Sequence, residues 1–331
     1  MIARLLSPRA SDWAAYAVLP VVALVTLPLM SFSTWLTLTV AGFAMGMMLF
    51  LMAAGLTLIF GLMQVFTFAH GAFITLGAYL AVSVLGWLAG WSGAASWALN
   101  LAALAVALGV ALIASGAAGY VFERLIIRRV YGAPLRQILI TMGGLIIAEQ
   151  LIVAVWGASP LPLPKPASFQ GSFIIAGAAI ETYRLIAAAL GLAVFAGLHL
   201  LLNRTRVGLL VRAGVENLEM VEALGYRVRR LFIGVFVTGT ALAGVGGVMW
   251  ALYQETVTRS IGSEMTILIF IILIIGGLGS LGGCFTAAIL VGLVTNYVGF
   301  LAPKLALGST ILLMMAVLLW RPRGLFPVGA R

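Results

Sequence analysis

The feature that most constrains the fold is an apolar tract from residue 35 to residue 90 that contains no Asp, Glu, Lys or Arg. One helical bilayer crossing takes about 20 residues, so this tract can cross twice. A polar insert bounded by Gly61 and Gly71 interrupts it, and glycine lowers the cost of non-helical backbone. The insert carries three polar side chains: Gln64, Thr67 and His70. It predicts a helix break, either within the bilayer or at the cytoplasmic surface.

The composition predicts an all-α polytopic membrane protein. The 331 residues are 63% hydrophobic and 8% charged, against about 25% charged in soluble domains. Strand-period alternation is absent, which argues against a β-barrel. One cysteine, Cys284, and two histidines, His70 and His199, give no set of residues with metal-ligand spacing. The arginines lie between apolar runs rather than on one basic domain, which indicates membrane topology and no nucleic-acid partner.

Apolar length and the Gly, Pro or charged breaks predict about ten spans within a single permease domain, 1–331. Counts of eight or nine also remain open. The predicted spans are 14–30, 35–60, 72–90, 97–122, 137–157, 184–203, 231–253, 266–281, 283–300 and 306–320. The groups 35–157 and 231–320 each contain four spans and enter the membrane from opposite sides, which predicts the inverted repeat found in many transporters.

The positive charges predict the orientation. With ten spans and a cytoplasmic N-terminus, 15 of the 19 Lys and Arg residues face the cytoplasm. The other four face outward: Lys165, Arg184, Arg259 and Lys304. Positive charge is retained on the cytoplasmic side, so both termini are expected there. The outer loop 158–183 opens with alternating prolines, which favour an extended segment, either a short cap over the outer mouth or a plain linker.

The inner loop 204–230 is the largest charged element of the chain and predicts a cytoplasmic helix over 208–226. Asn217 is a suitable N-cap, Glu219 lies in the favourable first turn, and Gly225 suits a left-handed stop. Val221 and Leu224 provide a small apolar face. Such a helix between two spans favours docking into a groove on another protein over an ordinary solvated connector.

These segments together resemble the permeases of high-affinity branched-chain amino acid ABC importers. The resemblance rests on Gly55 to Gly61 followed by Phe68-Ala69-His70-Gly71, on 212–247, on the glycine-rich 276–283, and on the ending 321–326. It covers most of 35–326, in order. Thr67 stands where the family usually has Asn, which leaves the substrate open.

The resemblance implies a pore-forming subunit in a bacterial inner membrane that works with a second homologous permease, two cytoplasmic ATPases and a periplasmic substrate-binding protein. ATP and Mg²⁺ would be bound by the ATPases, and no cofactor by this chain. The sequence agrees, because a Walker A loop needs Gly-Lys-Ser/Thr, whereas Lys165 and Lys304 each follow a proline. It is therefore expected not to be an enzyme. A urea or short-amide permease, and an ATP-independent secondary transporter, remain alternatives.

Three sets of residues are candidates for function. Glu149 lies near the middle of a span. It is a candidate together with the polar insert, because an ionisable group at that depth is costly and faces protein or water. The candidates for the substrate path are Gln64, Thr67, His70 and Glu149. Those for ATPase coupling are Glu216, Asn217, Glu219, Glu222, Ala223, Leu224 and Gly225. Those for helix breaks are Gly61, Gly71, Gly276, Gly277, Gly279, Gly282 and Gly283. For the polar insert, a structural role such as satisfying freed backbone groups is favoured over a role in the path. For Glu149, packing against a neighbouring helix is as open as a role in the path.

Overall fold

The computed structural model confirms a polytopic helical membrane protein. It describes residues 8–65, 67–206, 208–210, 213, 218–223, 225 and 228–326. The α-helices in these residues are α1 (Pro8–Thr26), α2 (Phe32–Met63), α3 (His70–Trp87), α4 (Ala89–Ser92), α5 (Trp97–Leu125), α6 (Pro134–Trp156), α7 (Thr182–Arg204), α8 (Leu218–Ala223), α9 (Val228–Gln254), α10 (Ile261–Gly276), α11 (Leu281–Leu301) and α12 (Ala306–Trp320).

Each of the ten predicted spans corresponds to one apolar helix. Among the described residues, seven helices are long and apolar enough to cross a bilayer. Three further apolar helices are shorter, namely 17–29, 261–276 and 308–320. The ends differ from the predicted ones by a few residues, because capping and loop contacts determine where a helix stops.

Short strands lie on one side of the bundle, here called the strand side. Strand β1 (Leu161–Pro162) pairs antiparallel with β4 (Thr256–Val257), and β2 (Ser172–Ile175) forms a hairpin with β3 (Ala178–Glu181). The proline-rich segment is therefore extended, as predicted, but it is tied by hydrogen bonds to the chain that follows α9. The segment is therefore docked against the bundle, and a cap over the outer mouth stays a prediction.

The centre of the bundle is the crossing of α2 and α9. Every residue from 44 to 57 in α2 is buried, as expected for a helix surrounded by protein. A Cβ on Gly239 would lie 2.6 Å from the carbonyl oxygen of Gly55. Only glycine allows the two backbones to approach so closely, a common device between membrane helices.

Helices α3 and α10 form a second close crossing at their first turns. Gly71 and Gly262 are each the second residue of their helix, and a Cβ on Gly71 would lie 2.5 Å from the Gly262 carbonyl oxygen. The amide of Gly262 donates to Thr75 Oγ1 at 3.1 Å. Thr266 in turn lies against Gly71, so the two helices start side by side and run in opposite directions. Helix α2 thus contacts α9 and helix α3 contacts α10, and the inverted repeat stays a prediction.

The turn between α10 and α11 lies beside the end of α2, on the side opposite the strands. Gly277 and Gly279 have positive φ angles of 97° and 80°, which glycine adopts without strain. A Cβ on Gly61 would lie 2.7 Å from the Cα of Gly279. The segment after α12 covers this turn, since the Leu325 amide donates to the Ile275 carbonyl at 2.8 Å.

Candidate functional site

The interruption between α2 and α3 lies deep in the bundle. His70, the first residue of α3, is buried, and its Nε2 lies 2.9 Å from the carbonyl oxygen of Met52. Met52 is eleven residues, about 16 Å, before the end of α2 at Met63. Helix α3 therefore starts beside the middle of α2, inside the thickness that α2 spans.

His70 holds the start of α3 against α2. A carbonyl oxygen only accepts hydrogen bonds, so Nε2 carries the proton and Nδ1 is the free acceptor nitrogen. Nδ1 is buried and has no hydrogen-bond partner among the described residues. The hydroxyl of Thr67 is also buried, and it too has no hydrogen-bond partner in the described part of the chain. Gln64, in contrast, is exposed and ends α2 in a left-handed conformation with φ 50°.

The glycines predicted to break helices mostly do not lie in breaks. Gly61 and Gly71 are within α2 and α3, and the break is the six residues between those helices. Gly276, Gly282 and Gly283 are also helical, whereas Gly277 and Gly279 form the turn. Four of the helical glycines permit close backbone contacts instead, namely Gly61, Gly71, Gly276 and Gly283, and Gly279 in the turn makes such a contact as well. A lone glycine in a sequence does not distinguish a turn from a helix crossing.

Glu149 lies in α6, which is mostly exposed around its circumference. The side chain is half-buried, and its Oε1 is enclosed without a hydrogen-bond partner among the described residues. It is not brought together with Thr67 or His70 by any hydrogen bond in the structure. The same helix does meet the break nearer its start, where Thr141 Oγ1 accepts the amide of Phe68 at 3.2 Å.

The predicted coupling helix is described only in part. A short helix, α8, covers Leu218–Ala223, in which Val221 is buried and Ala223 exposed. Gly225 has φ 83°, as expected for a left-handed stop. Glu216, Asn217 and Leu224, and the side chains of Glu219 and Glu222, lie outside the described residues.

A cluster of charged residues holds the proline-rich loop in place on the strand side. The sequence alone did not predict this cluster. Lys165 is 8% exposed and forms ion pairs with Glu181 and, at 2.8 Å, with Glu255. Arg184 bonds Glu181 at 3.1 Å. Burial acts to lower the pKa of Lys165, but the hydrogen bonds and charges of the two glutamates outweigh it. The pKa therefore stands above its ordinary value of 10.5. Lys165 and its two glutamate partners are far apart in the sequence, so residue spacing does not indicate that they form ion pairs.

Comparisons with known proteins assign the family. The family described as "Branched-chain amino acid transport system / permease component" matches residues 16–319. The chain belongs to this permease family. It is 29% identical over 295 residues to a high-affinity branched-chain amino acid transport system permease protein, BraD, of Pseudomonas aeruginosa, covering 86% of this chain and 94% of the relative.

Two other permease proteins of the family have a similar sequence identity to this chain over most of its length. LivH of Escherichia coli K12, a high-affinity branched-chain amino acid transport system permease protein, is 26% identical over 76% of this chain and 82% of its own length. A probable branched-chain amino acid transport permease protein, LivH of Methanocaldococcus jannaschii, is 27% identical over 84% and 88%. No solved structure matches significantly. The family confirms the predicted resemblance and identifies the chain as a multi-pass transport permease component.

Proposed function

We propose that this chain is a membrane-spanning subunit of an ATP-driven importer of branched-chain or related amino acids. The observation that carries the proposal is the family match across 16–319, together with relatives whose names state branched-chain amino acid transport. The helix break at the depth of Met52 supports it, because interrupted helices in transporters place irregular backbone where it lines a path.

Partner subunits supply the energy and deliver the substrate. Two cytoplasmic ATPases bind ATP and Mg²⁺, a second homologous permease completes the pathway, and a periplasmic binding protein presents the amino acid. Within the described residues, no group of His, Cys, Asp and Glu is arranged to hold a metal. The permease resides in the bacterial inner membrane with both termini in the cytoplasm, as the arginine distribution supports.

Movement of the 204–230 loop couples the ATPases to the pathway. ATP-driven closure of the ATPases would push on this loop, which leads directly into α9. Helix α9 crosses α2 at Gly55 and Gly239 with backbones in contact, so a tilt of α9 is transmitted to α2 and to the break beside it. Gln64, Thr67 and His70 then line or support the path, while Glu149 faces a neighbouring helix or the path.

Substrate competition in proteoliposomes tests the proposal. The assembled complex, with its binding protein and internal ATP, is expected to accumulate labelled leucine, and unlabelled isoleucine or valine should compete. Urea and acetamide should not compete at the same concentrations. Uptake of urea or acetamide with no uptake of leucine would contradict the amino acid assignment and favour the amide permease.

A further inference from the structure

Two opposite charges stand at the first turn of α10, outside the features used above. Arg259 is exposed and lies two residues before the helix, and Glu264 is exposed within the first turn. Ser260 Oγ donates to Glu264 Oε1 at 2.7 Å. Neither charged side chain forms an ion pair with any described residue. The sequence alone suggested only a topological role for Arg259.

The contacts of α10 place these charges at depth. Its second residue, Gly262, is hydrogen-bonded to Thr75 of α3. From Thr75 to the strand-side end of α3 at Trp87 there are twelve residues, about 18 Å of helix. Glu264 follows Gly262 into the bundle, and Arg259, two residues after β4, stands nearer the strand side. Exposed charges in a bilayer are costly, so both groups face water or protein. A water-filled pathway open to the strand side satisfies both groups.

A buried phenol points to a ligand at the same place. Tyr79 is fully buried, and its hydroxyl has no hydrogen-bond partner among the described residues. Tyr79 lies one helical turn beyond Thr75 in α3, on the strand side of the contact with Gly262, and Arg259 precedes Gly262 on that same side. A positive group, a negative group and an unused hydroxyl donor thus lie around the start of α10 and the middle of α3, where these two helices cross.

We propose that Arg259 and Glu264 form a subsite for a zwitterion, with the guanidinium on the carboxylate and the Glu264 carboxylate on the ammonium of an α-amino acid. A guanidinium suits bidentate contact with a carboxylate, and charge-assisted hydrogen bonds are the strong ones. The subsite rests on the proposed amino acid transport and names the groups of this chain that recognise the substrate backbone. The apolar side chain would extend toward the surrounding helices.

Thiol accessibility tests the subsite without the binding protein. Cys284 is the one cysteine and is buried, so a Cys284→Ala chain gives a clean background. Ser263→Cys places a thiol beside Glu264 and leaves both charges intact. In the assembled complex, a membrane-impermeant charged thiol reagent added from the binding-protein side is expected to label Cys at 263. Millimolar leucine should slow that labelling several-fold, whereas isoamylamine and 4-methyl-2-oxopentanoate, which each lack one charge, should not.

Charge removal separates substrate contact from a structural role. Arg259→Gln or Glu264→Gln is expected to abolish protection by leucine while Cys at 263 still reacts. Each should lower leucine uptake by about tenfold or more, the scale of one lost hydrogen bond to a charged group. Lys304→Gln, which removes an exposed outer-loop charge, is the matched control and should keep protection and uptake.

Three results would overturn the subsite. The first is no labelling of the cysteine at 263, which would place that position against lipid or protein. The second is equal protection by leucine, isoamylamine and 4-methyl-2-oxopentanoate. The third is unchanged leucine uptake in both charge variants. In each case leucine uptake by the unsubstituted complex would still support the proposed function. Absence of amino acid uptake by that complex would instead overturn the proposed function itself.

Discussion

At the scale of single residues, function depends on polar groups whose partners are distant in sequence. The sequence identifies His70 as a polar residue at a helix break, but it cannot show that Nε2 reaches Met52, eighteen positions earlier. It likewise shows Lys165 only as a lysine between prolines. Its partners Glu181 and Glu255 come from two other segments. Composition and spacing reveal which residues are polar, and only the packed helices decide what they contact.

We expect His70→Ala to destabilise the permease because it removes the tie between α3 and α2 and leaves a cavity. The loss should be about 1–3 kcal/mol, seen as a lower midpoint of thermal unfolding in detergent. His70→Gln should recover part of it, since its amide nitrogen can donate to the Met52 carbonyl. His199→Ala, at an exposed site on α7, is the control. Equal destabilisation by Ala and Gln would show that the hydrogen bond does not hold α3.

We expect Lys165→Met to lower stability near neutral pH by about 1–3 kcal/mol, less than for a fully buried pair because Glu255 is half exposed. The pKa of Lys165 is raised in the folded chain, so its contribution is complete below pH 10.5 and is lost as pH rises beyond that value. Thermal unfolding from pH 8 to pH 11.5 should show the two proteins converging at high pH.

The control for Lys165 is Lys304→Met, whose lysine is exposed. It should match the unsubstituted chain at every pH in the series. A constant gap between the Lys165 variant and the unsubstituted chain up to pH 11.5 would contradict the role assigned to the ion pairs.

At the scale of elements, the apolar runs were sufficient to predict ten helices within a few residues of their observed bounds. Hydrophobic length is a local property, and the bilayer fixes how much of it a span needs. The depth at which α3 starts could not be predicted, because it is set by the contacts of His70 with Met52 and of Phe68 with Thr141 on α6. The pairing of β1 with β4 was missed for the same reason, since it joins segments about ninety residues apart.

We expect the crossing of α3 and α10 to reject any side chain. Gly71→Ala would place a methyl group against the backbone of Gly262 and the hydroxyl of Thr266. Overpacking costs about 1–3 kcal/mol where neighbours can shift, and backbone yields less than side chains. Thermal unfolding and the yield of monodisperse protein should both fall, whereas Gly109→Ala, with open space around it, should change neither. A neutral Gly71→Ala would contradict the close crossing.

We expect the inner loop to engage an ATPase. Replacing Glu222 with Gln and Leu224 with Ala together should uncouple ATP hydrolysis from uptake while membrane insertion stays intact. The measurement is the ratio of leucine transported to ATP hydrolysed in the reconstituted complex, with co-purification of the ATPase as a second readout. Met220→Ala, an exposed position on α8, serves for comparison. Unchanged uptake together with unchanged co-purification would refute the docking.

At the scale of the whole molecule, α3, α10 and the two central helices α2 and α9 form one arrangement that fits alternating access. Helices α3 and α10 start beside each other and leave in opposite directions, and α2 and α9 cross next to them. In the proposed mechanism, rocking of one half of the bundle against the other would expose the break first to one side and then to the other. The charges at the start of α10 lie at this junction, where either opening could reach them.

The most direct test is whether ATP or a proton gradient drives uptake. Glu149 is the residue that separates an ATP-driven importer from a proton-coupled transporter. We predict that the complex with Glu149→Gln retains substantial ATP-dependent leucine uptake, because the amide keeps the size and hydrogen bonding of the carboxyl. An uncoupler at constant ATP should have no effect, and the purified permease alone should not transport. Loss of uptake in an assembled Glu149→Gln complex, together with sensitivity of the unsubstituted complex to the uncoupler, would contradict an ATP-driven importer and identify a proton-coupled transporter.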